Sequence, residues 1–139
     1  MIGGRTYKDV GYTKTYYYSK LFKVNWVEAK AICKAFDLEL ATFETSEEAK
    51  NFLNITANFE HHYVLVDGIA LTQESPTDWY WTNSGKKIPY DIEWADGEPN
   101  YYEAEERCLS IGIGNKKKYL GFNDYQCWSD TIPFICETF

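Results

Sequence analysis

Four cysteines, at positions 33, 108, 127 and 136, constrain the fold of this chain more than any other feature. Their number is even and none forms a CxxC pair, so zinc and thioredoxin-type readings are weak and disulfides are the natural use. Four cysteines allow three pairings, and spacing alone does not choose among them. Disulfides persist in oxidising compartments, which predicts a secreted, extracellular domain. Asn54-Ile55-Thr56 is an N-glycosylation sequon and points the same way. The start, Ile2-Gly3-Gly4-Arg5, has no apolar leader core and reads as a mature form behind an added initiator Met.

At 139 residues the chain is one domain's worth, long enough for a proper core. Twelve Tyr, eight Phe and five Trp argue against disorder. A net charge of −7 and a pI near 4.8 disfavour nucleic acid and anionic membrane surfaces, since both are bound through basic surface. No apolar run approaches the length of a membrane span, so insertion into a bilayer is not expected.

The segment from Glu98 to Asp124 is rich in hard oxygen donors: Glu98 and Asn100 around Pro99, Glu106 two residues before Cys108, and Asn123-Asp124 three residues before Cys127. Calcium takes six to eight oxygen ligands in irregular geometry, so carboxylates mixed with amide carbonyls suit it better than zinc. Three carboxylates against a doubly charged ion leave a local charge near minus one. An amide that gives its oxygen to the ion keeps an NH2 to donate, and a ligated carboxylate keeps lone pairs to accept. Two neighbouring sugar hydroxyls would satisfy such a site.

Glu98-Pro99-Asn100, Glu106 before Cys108, and Asn123-Asp124 before Cys127 resemble the carbohydrate-recognition domain of C-type lectins, over about residues 15–137. The form is similar to the short, four-cysteine secreted insect lectins, with Phe122 where the family usually has Trp. The resemblance implies one Ca2+ held by Glu98, Asn100, Glu106, Asn123 and Asp124, the same five residues binding the sugar, and a cis peptide bond into Pro99. It also implies the pairings Cys33–Cys136 and Cys108–Cys127. These close loops of about 100 and about 18 residues, worth roughly 4–5 and 3 kcal/mol in the chain-entropy model. Calcium-binding relatives often hold an auxiliary ion with carboxylates near positions 71, 75, 101 and 107. Leu71, Ser75, Tyr101 and Arg107 offer none, so a single calcium is expected.

Along the chain, residues 1–12 contain three Gly and no pattern, and read as an N-terminal extension to a carbohydrate-recognition domain over 13–139. Thr15 to Phe22 has strand composition. Asn25 with Glu28 and Thr45 with Glu48 are capping-box signals for two helices. Trp26, Ala29, Cys33 and Phe36 recur at helical spacing in the first, and Ala49, Phe52, Leu53 and Thr56 in the second. Tyr63 to Ile69 reads as a central strand. Leu71 to Asn100 is poorly regular, and such a stretch inside a small domain is usually functional; the resemblance places the long binding loop here. Cys108–Ile113, Tyr119–Asp124 and Phe134–Glu137 read as strands, with a turn at Asn115–Lys118. The fold class is α+β: two helices packed on small antiparallel sheets with a long calcium-binding loop.

Other residues admit plainer readings. His61-His62 are loop or strand-edge residues with no third metal ligand nearby in sequence. Lys116-Lys117-Lys118 could bind phosphate or acidic glycans, but in an acidic chain it reads first as a solvated hairpin tip. Glu98 and Glu106 could in principle serve as the acid and base of a glycosidase, yet calcium ligation uses the same groups, and no GxSxG, HExxH or nucleotide loop is present. No enzyme is expected. The expected function is calcium-dependent carbohydrate binding. The resemblance ties Glu-Pro-Asn to mannose, fucose or N-acetylglucosamine, on glycans of microbial or host glycoproteins, in innate immunity or adhesion. The alternatives are a galactose-specific lectin stacking the sugar on Tyr102, and a calcium-independent protein-binding module on the same fold. A single shallow site binds monosaccharides weakly, which favours a homo-oligomer for avidity.

Overall fold

The computed structural model describes residues 2–9, 12–19, 23–71, 78–89, 92–99 and 107–138. In chain order its elements are β1 (Ile2–Asp9), β2 (Tyr12–Tyr18), α1 (Trp26–Ala35), β3 (Glu39–Leu40), α2 (Ser46–Ile55), β4 (His62–Ala70), β5 (Trp79–Trp81), β6 (Cys108–Ile113), a 3-10 turn (Lys117–Tyr119), β7 (Gly121–Tyr125) and β8 (Ile135–Glu137). The strands form two four-stranded antiparallel sheets, in the orders β1-β2-β8-β3 and β5-β4-β6-β7. The class is α+β, as expected.

Both helices start where their caps predict. Asn25 Oδ1 accepts from the Glu28 N–H at 2.9 Å and the Glu28 carboxylate accepts from the Asn25 N–H at 3.1 Å, a complete capping box. At α2 the Thr45 hydroxyl accepts from the Glu48 N–H at 3.1 Å. The Glu48 carboxylate does something the capping signal did not predict. It is fully buried, accepts from the Glu44 N–H at 2.9 Å and the Tyr16 hydroxyl at 3.2 Å, and pairs with the Lys14 ammonium at 2.6 Å.

Lys14 joins a second buried carboxylate, Glu137 on β8, at 2.9 Å, and donates to the Thr42 carbonyl at 3.0 Å. Glu137 also accepts from the Thr42 N–H at 2.6 Å. Burial pushes the Glu137 carboxyl up to about 7, against the lowering pull of Lys14 and the Thr42 N–H. Burial alone would lower the Lys14 ammonium, but Glu137 and Glu48 carry it above its ordinary value. This three-charge cluster ties β2, α2 and β8 together at the base of the molecule.

The expected N-terminal extension is different in the structure. Residues 2–9 form β1 and pair with β2 through the register Asp9↔Tyr12 to Ile2↔Tyr18. The outer edge of β2 would otherwise leave a row of backbone donors and acceptors unpaired in the sheet, and β1 satisfies them. Two smaller differences have similar causes. The linker at 38–43 contains β3, because Glu39 and Leu40 pair with Glu137 and Cys136. The last strand of the hairpin begins at Gly121 rather than Tyr119, since Lys117–Tyr119 close into a 3-10 turn with Tyr119 N donating to Lys116 O at 3.1 Å.

Two packed clusters form the core. One gathers Tyr16, Phe43, Phe52, Trp81 and Phe122, with Phe43 in ring contact with each of the others. The other surrounds the disulfide Cys33–Cys136 with Trp26, Leu40, Leu65 and Phe134. That bridge joins α1 to β8 across 103 residues, so the two ends of the chain are held in one unit. Leu65 N donates to Pro133 O at 2.9 Å and Asp67 N to Ala41 O at 2.8 Å, which tie the two sheets to each other.

Candidate functional site

Glu98 is positioned by a short run of backbone bonds to β7. Phe122 N donates to Glu93 O at 2.7 Å, Ala95 N returns a bond to Phe122 O at 2.9 Å, and Glu98 N donates to Ala95 O at 3.0 Å. Trp94 thus lies beside Phe122 as a parallel bridge. This approach requires glycine at 121, where φ is +121° and a Cβ would come within 2.6 Å of Glu93 O and 2.7 Å of Ala95 N. Gly97, with φ of +79°, turns the chain into Glu98, and the Glu98–Pro99 bond is cis.

Directly after Phe122 on β7 come Asn123 and Asp124, the other two expected ligands among the described residues. Asn123 lies opposite Ser110 and Asp124 opposite Leu109. Ser110 Oγ donates to Asn123 O at 3.1 Å, fixing the strand at this position. Asn123 is half-buried and Asp124 is 1% exposed. The structure therefore brings the Glu98 turn to the flank of the strand carrying Asn123 and Asp124. Asn100, Tyr102 and Glu106 lie outside the described residues. Among the described residues no three His, Cys, Asp or Glu side chains gather into a metal cluster; those of the expected set are two carboxylates and one amide, all oxygen donors of the kind a hard cation takes.

The loop returns to the sheet at Arg107 and Cys108. Cys108 is bonded to Cys127, with the Cα atoms 5.1 Å apart, and this bridge fixes the strand end and the following turn. The turn is tied further by Trp26 N donating to Cys127 O at 3.1 Å. The Arg107 guanidinium donates to the Leu71 carbonyl, and Ala70 N donates to Arg107 O at 2.8 Å. At this flank the chain sets a fixed positive charge. Ser75 and Tyr101 are outside the described residues.

The histidines are engaged in local bonds. His61 Nδ1 pairs with Ile113 O at 2.9 Å, His62 Nδ1 with Glu60 O at 2.8 Å, and His62 Nε2 with the Tyr18 hydroxyl at 2.5 Å. Burial, then the negative charge of Glu98 and of Tyr119, raises the Tyr63 phenol above its ordinary value. Asn54 is exposed near the end of α2, whereas Thr56 of the same sequon is buried and donates to Phe52 O at 2.8 Å.

Sequence reasoning missed a buried polar anchor on β4. Asp67, fully buried on β4, accepts from Lys30 Nζ at 2.8 Å, Thr82 Oγ1 at 2.6 Å and the Asn83 N–H at 2.8 Å. It pins the 82–85 turn to α1. The only sequence signal was an acid inside an apolar strand, Val66-Asp67-Gly68.

The profile of the Lectin C-type domain family matches residues 22–138. The chain is 28% identical over 131 residues to C-type lectin 37Da of Drosophila melanogaster, covering 89% of this chain and 68% of that protein. Its fold superposes on the carbohydrate-recognition domain of the mouse scavenger receptor C-type lectin with a TM-score of 0.72 and 26% identity, covering 97% of this chain and 92% of the other. It also superposes on SPL-2, a Ca2+-independent C-type lectin from Saxidomus purpuratus, with a TM-score of 0.66 and 25% identity, covering 89% and 85% of the two chains.

Proposed function

Because this chain belongs to the C-type lectin domain family, whose members bind carbohydrate and are not enzymes, we propose that it binds glycans through one calcium ion. The observation that supports this reading best is the Glu98 turn, sewn by residues 93–95 to the strand that bears Asn123 and Asp124. The proposed ligands are Glu98, Asn100, Glu106, Asn123 and Asp124. Bound calcium would supply charge and open coordination positions to a pair of sugar hydroxyls. The chain's own groups orient the sugar: the Asn100 and Asn123 amides donate to hydroxyl oxygens, and the Glu98 and Glu106 carboxylates accept hydroxyl protons. This order of donors and acceptors favours mannose, fucose or N-acetylglucosamine.

Among the described residues no helix is long and apolar enough to cross a membrane. Two disulfides support an oxidising compartment, so the proposed setting is extracellular, with glycans on microbial or host glycoproteins as partners. Multivalency from oligomers or dense targets would supply useful avidity.

A second reading is favoured by one observation, the likeness to a Ca2+-independent lectin. A glycan array probed with wild type and Glu98→Ala, each with calcium and with EDTA, separates the two. The expected result is wild-type binding to mannose-, fucose- or N-acetylglucosamine-terminated glycans that falls about 100-fold or more with EDTA or in the variant. Galactose-selective binding would shift the preference to stacking on Tyr102. Binding that survives both treatments would overturn the calcium mechanism.

A further inference from the structure

The Lys116-Lys117-Lys118 run is not used by the calcium site, and the structure puts it in a built setting rather than at a loose tip. All three lysines are exposed; Lys117 and Lys118 sit on the 3-10 turn that leads into β7, and Lys116 immediately precedes it. Tyr119, 42% exposed, packs against the His61 ring with centroids 5.3 Å apart, and His61 meets Tyr63 edge-on at 5.2 Å. Lys118 Nζ lies 5.6 Å from the centre of the Tyr119 ring. The turn is seated closely: a Cβ at Gly112 would fall 2.1 Å from Tyr119 O and 3.0 Å from the Tyr63 ring.

These ring contacts, with Lys118 Nζ over their Tyr119 end, lie on the strands that lead to the proposed sugar site. Tyr119 precedes Asn123 by four residues, a separation of at most roughly 14 Å along extended chain. On the other flank Tyr63 pairs with Gly112 and Gly112 with Gly121, the residue against which residues 93–95 of the Glu98 turn lie. Among the described residues, the acids that bear on this region are Glu98, a proposed calcium ligand, and the exposed Glu60 beside His61. In a chain of net charge −7, three adjacent exposed cations on the segment that leads into the strand of Asn123 and Asp124 form a local positive field that an anionic ligand would select.

We propose that Lys116, Lys117 and Lys118, with the Tyr119 and His61 rings as the floor, form a subsite for the carboxylate or sulfate of an acidic sugar residue in a glycan anchored at the calcium site. The proposal rests on the lectin reading above and adds the class of glycan it prefers. The lysines attract the anion, and the Tyr119 ring gives the same residue an apolar face to lie on.

The test uses an array of oligosaccharides ending in mannose, fucose, N-acetylglucosamine or galactose, each printed as its neutral parent, its sulfate ester and a uronic-acid-extended form. Wild type and the triple variant Lys116→Ala, Lys117→Ala, Lys118→Ala are compared with calcium present. The expected result is that wild type binds an acidic form about five- to tenfold tighter than its neutral parent, as a few exposed ion pairs allow. The triple variant should lose that advantage and keep the neutral binding, which also shows that it is folded. The advantage should shrink as salt rises, and the Lys→Arg version of the triple variant should retain it. Whether the sulfate or the uronic-acid arm gains identifies the anion. Equal binding of acidic and neutral forms by wild type, or an advantage that survives in the alanine variant, overturns the subsite and leaves the lectin reading standing. Absence of calcium-dependent binding to every neutral parent overturns the lectin reading and the anchored subsite with it.

Discussion

Two groups of carboxylates in this molecule are used in opposite ways. At the base, Glu48 and Glu137 are buried around Lys14, a cation carried by the chain itself. At the candidate site, Glu98 and Asp124 lie on a turn and a strand held together by backbone bonds, and on the proposed reading the cation comes from solution. A fixed ammonium makes a permanent internal strut whose strength depends on pH. A soluble ion makes a site whose strength depends on ion concentration, and which can share its coordination with a ligand. The residue types are the same; where the positive charge is stored decides whether they support or bind.

The comparison is broken most severely at Lys14. Replacing it by Met leaves two acids buried without their ammonium, which should cost about 3–5 kcal/mol of stability at pH 7. Urea denaturation measures this, and a loss below about 1 kcal/mol would mean the cluster is better solvated than its burial implies. Calcium should act only at the other end. At 100 times its dissociation constant it should add about 2.7 kcal/mol, raising the melting temperature of wild type by roughly 5–10 °C. Glu98→Ala should abolish the calcium-dependent rise, whereas Lys14→Met should melt lower with and without calcium but keep the increment. An increment unchanged in Glu98→Ala would place the ion elsewhere.

The smallest effect sharpens the role of the fixed cation. The Glu137 carboxyl, raised to about 7, holds its proton in the folded state over a range where the unfolded chain, near the ordinary 4.5, has lost it. Its contribution is therefore fully present below about pH 4.5 and is lost as pH rises through 7. Relative to Glu137→Gln, which does not titrate, wild type should lose about 2 kcal/mol between pH 5 and 7. Parallel stability profiles of the two proteins would show that Lys14 keeps Glu137 ionised throughout.

The fold was legible where local chemistry and tertiary context agree. Asn25 with Glu28 marked the start of α1, Thr45 that of α2, and Tyr63 to Ile69 falls within β4. Legibility failed where a residue's role depends on a distant partner. Glu48 reads locally as a helix cap, but its carboxylate turns to Lys14, 34 positions earlier. Ile2 to Asp9 carries no period, yet becomes a strand because β2 needs a neighbour. At the candidate site the donor types were readable from Glu98, Asn123 and Asp124. Their adjacency depends on glycine at 121, where the missing side chain lets residues 93–95 lie against β7.

Sequence alone determined the chemistry available to this protein: oxygen donors suited to a hard cation, four cysteines, two capped helices and a run of lysines. These follow from residue type and spacings of a few positions. Tertiary structure decided which acids face a lysine and which lie along β7, which cysteines meet, and that Tyr119, at the end of the lysine run, packs on His61. Each of those depends on contacts between segments far apart in the chain, settled only when the two sheets and both clusters of the core pack together.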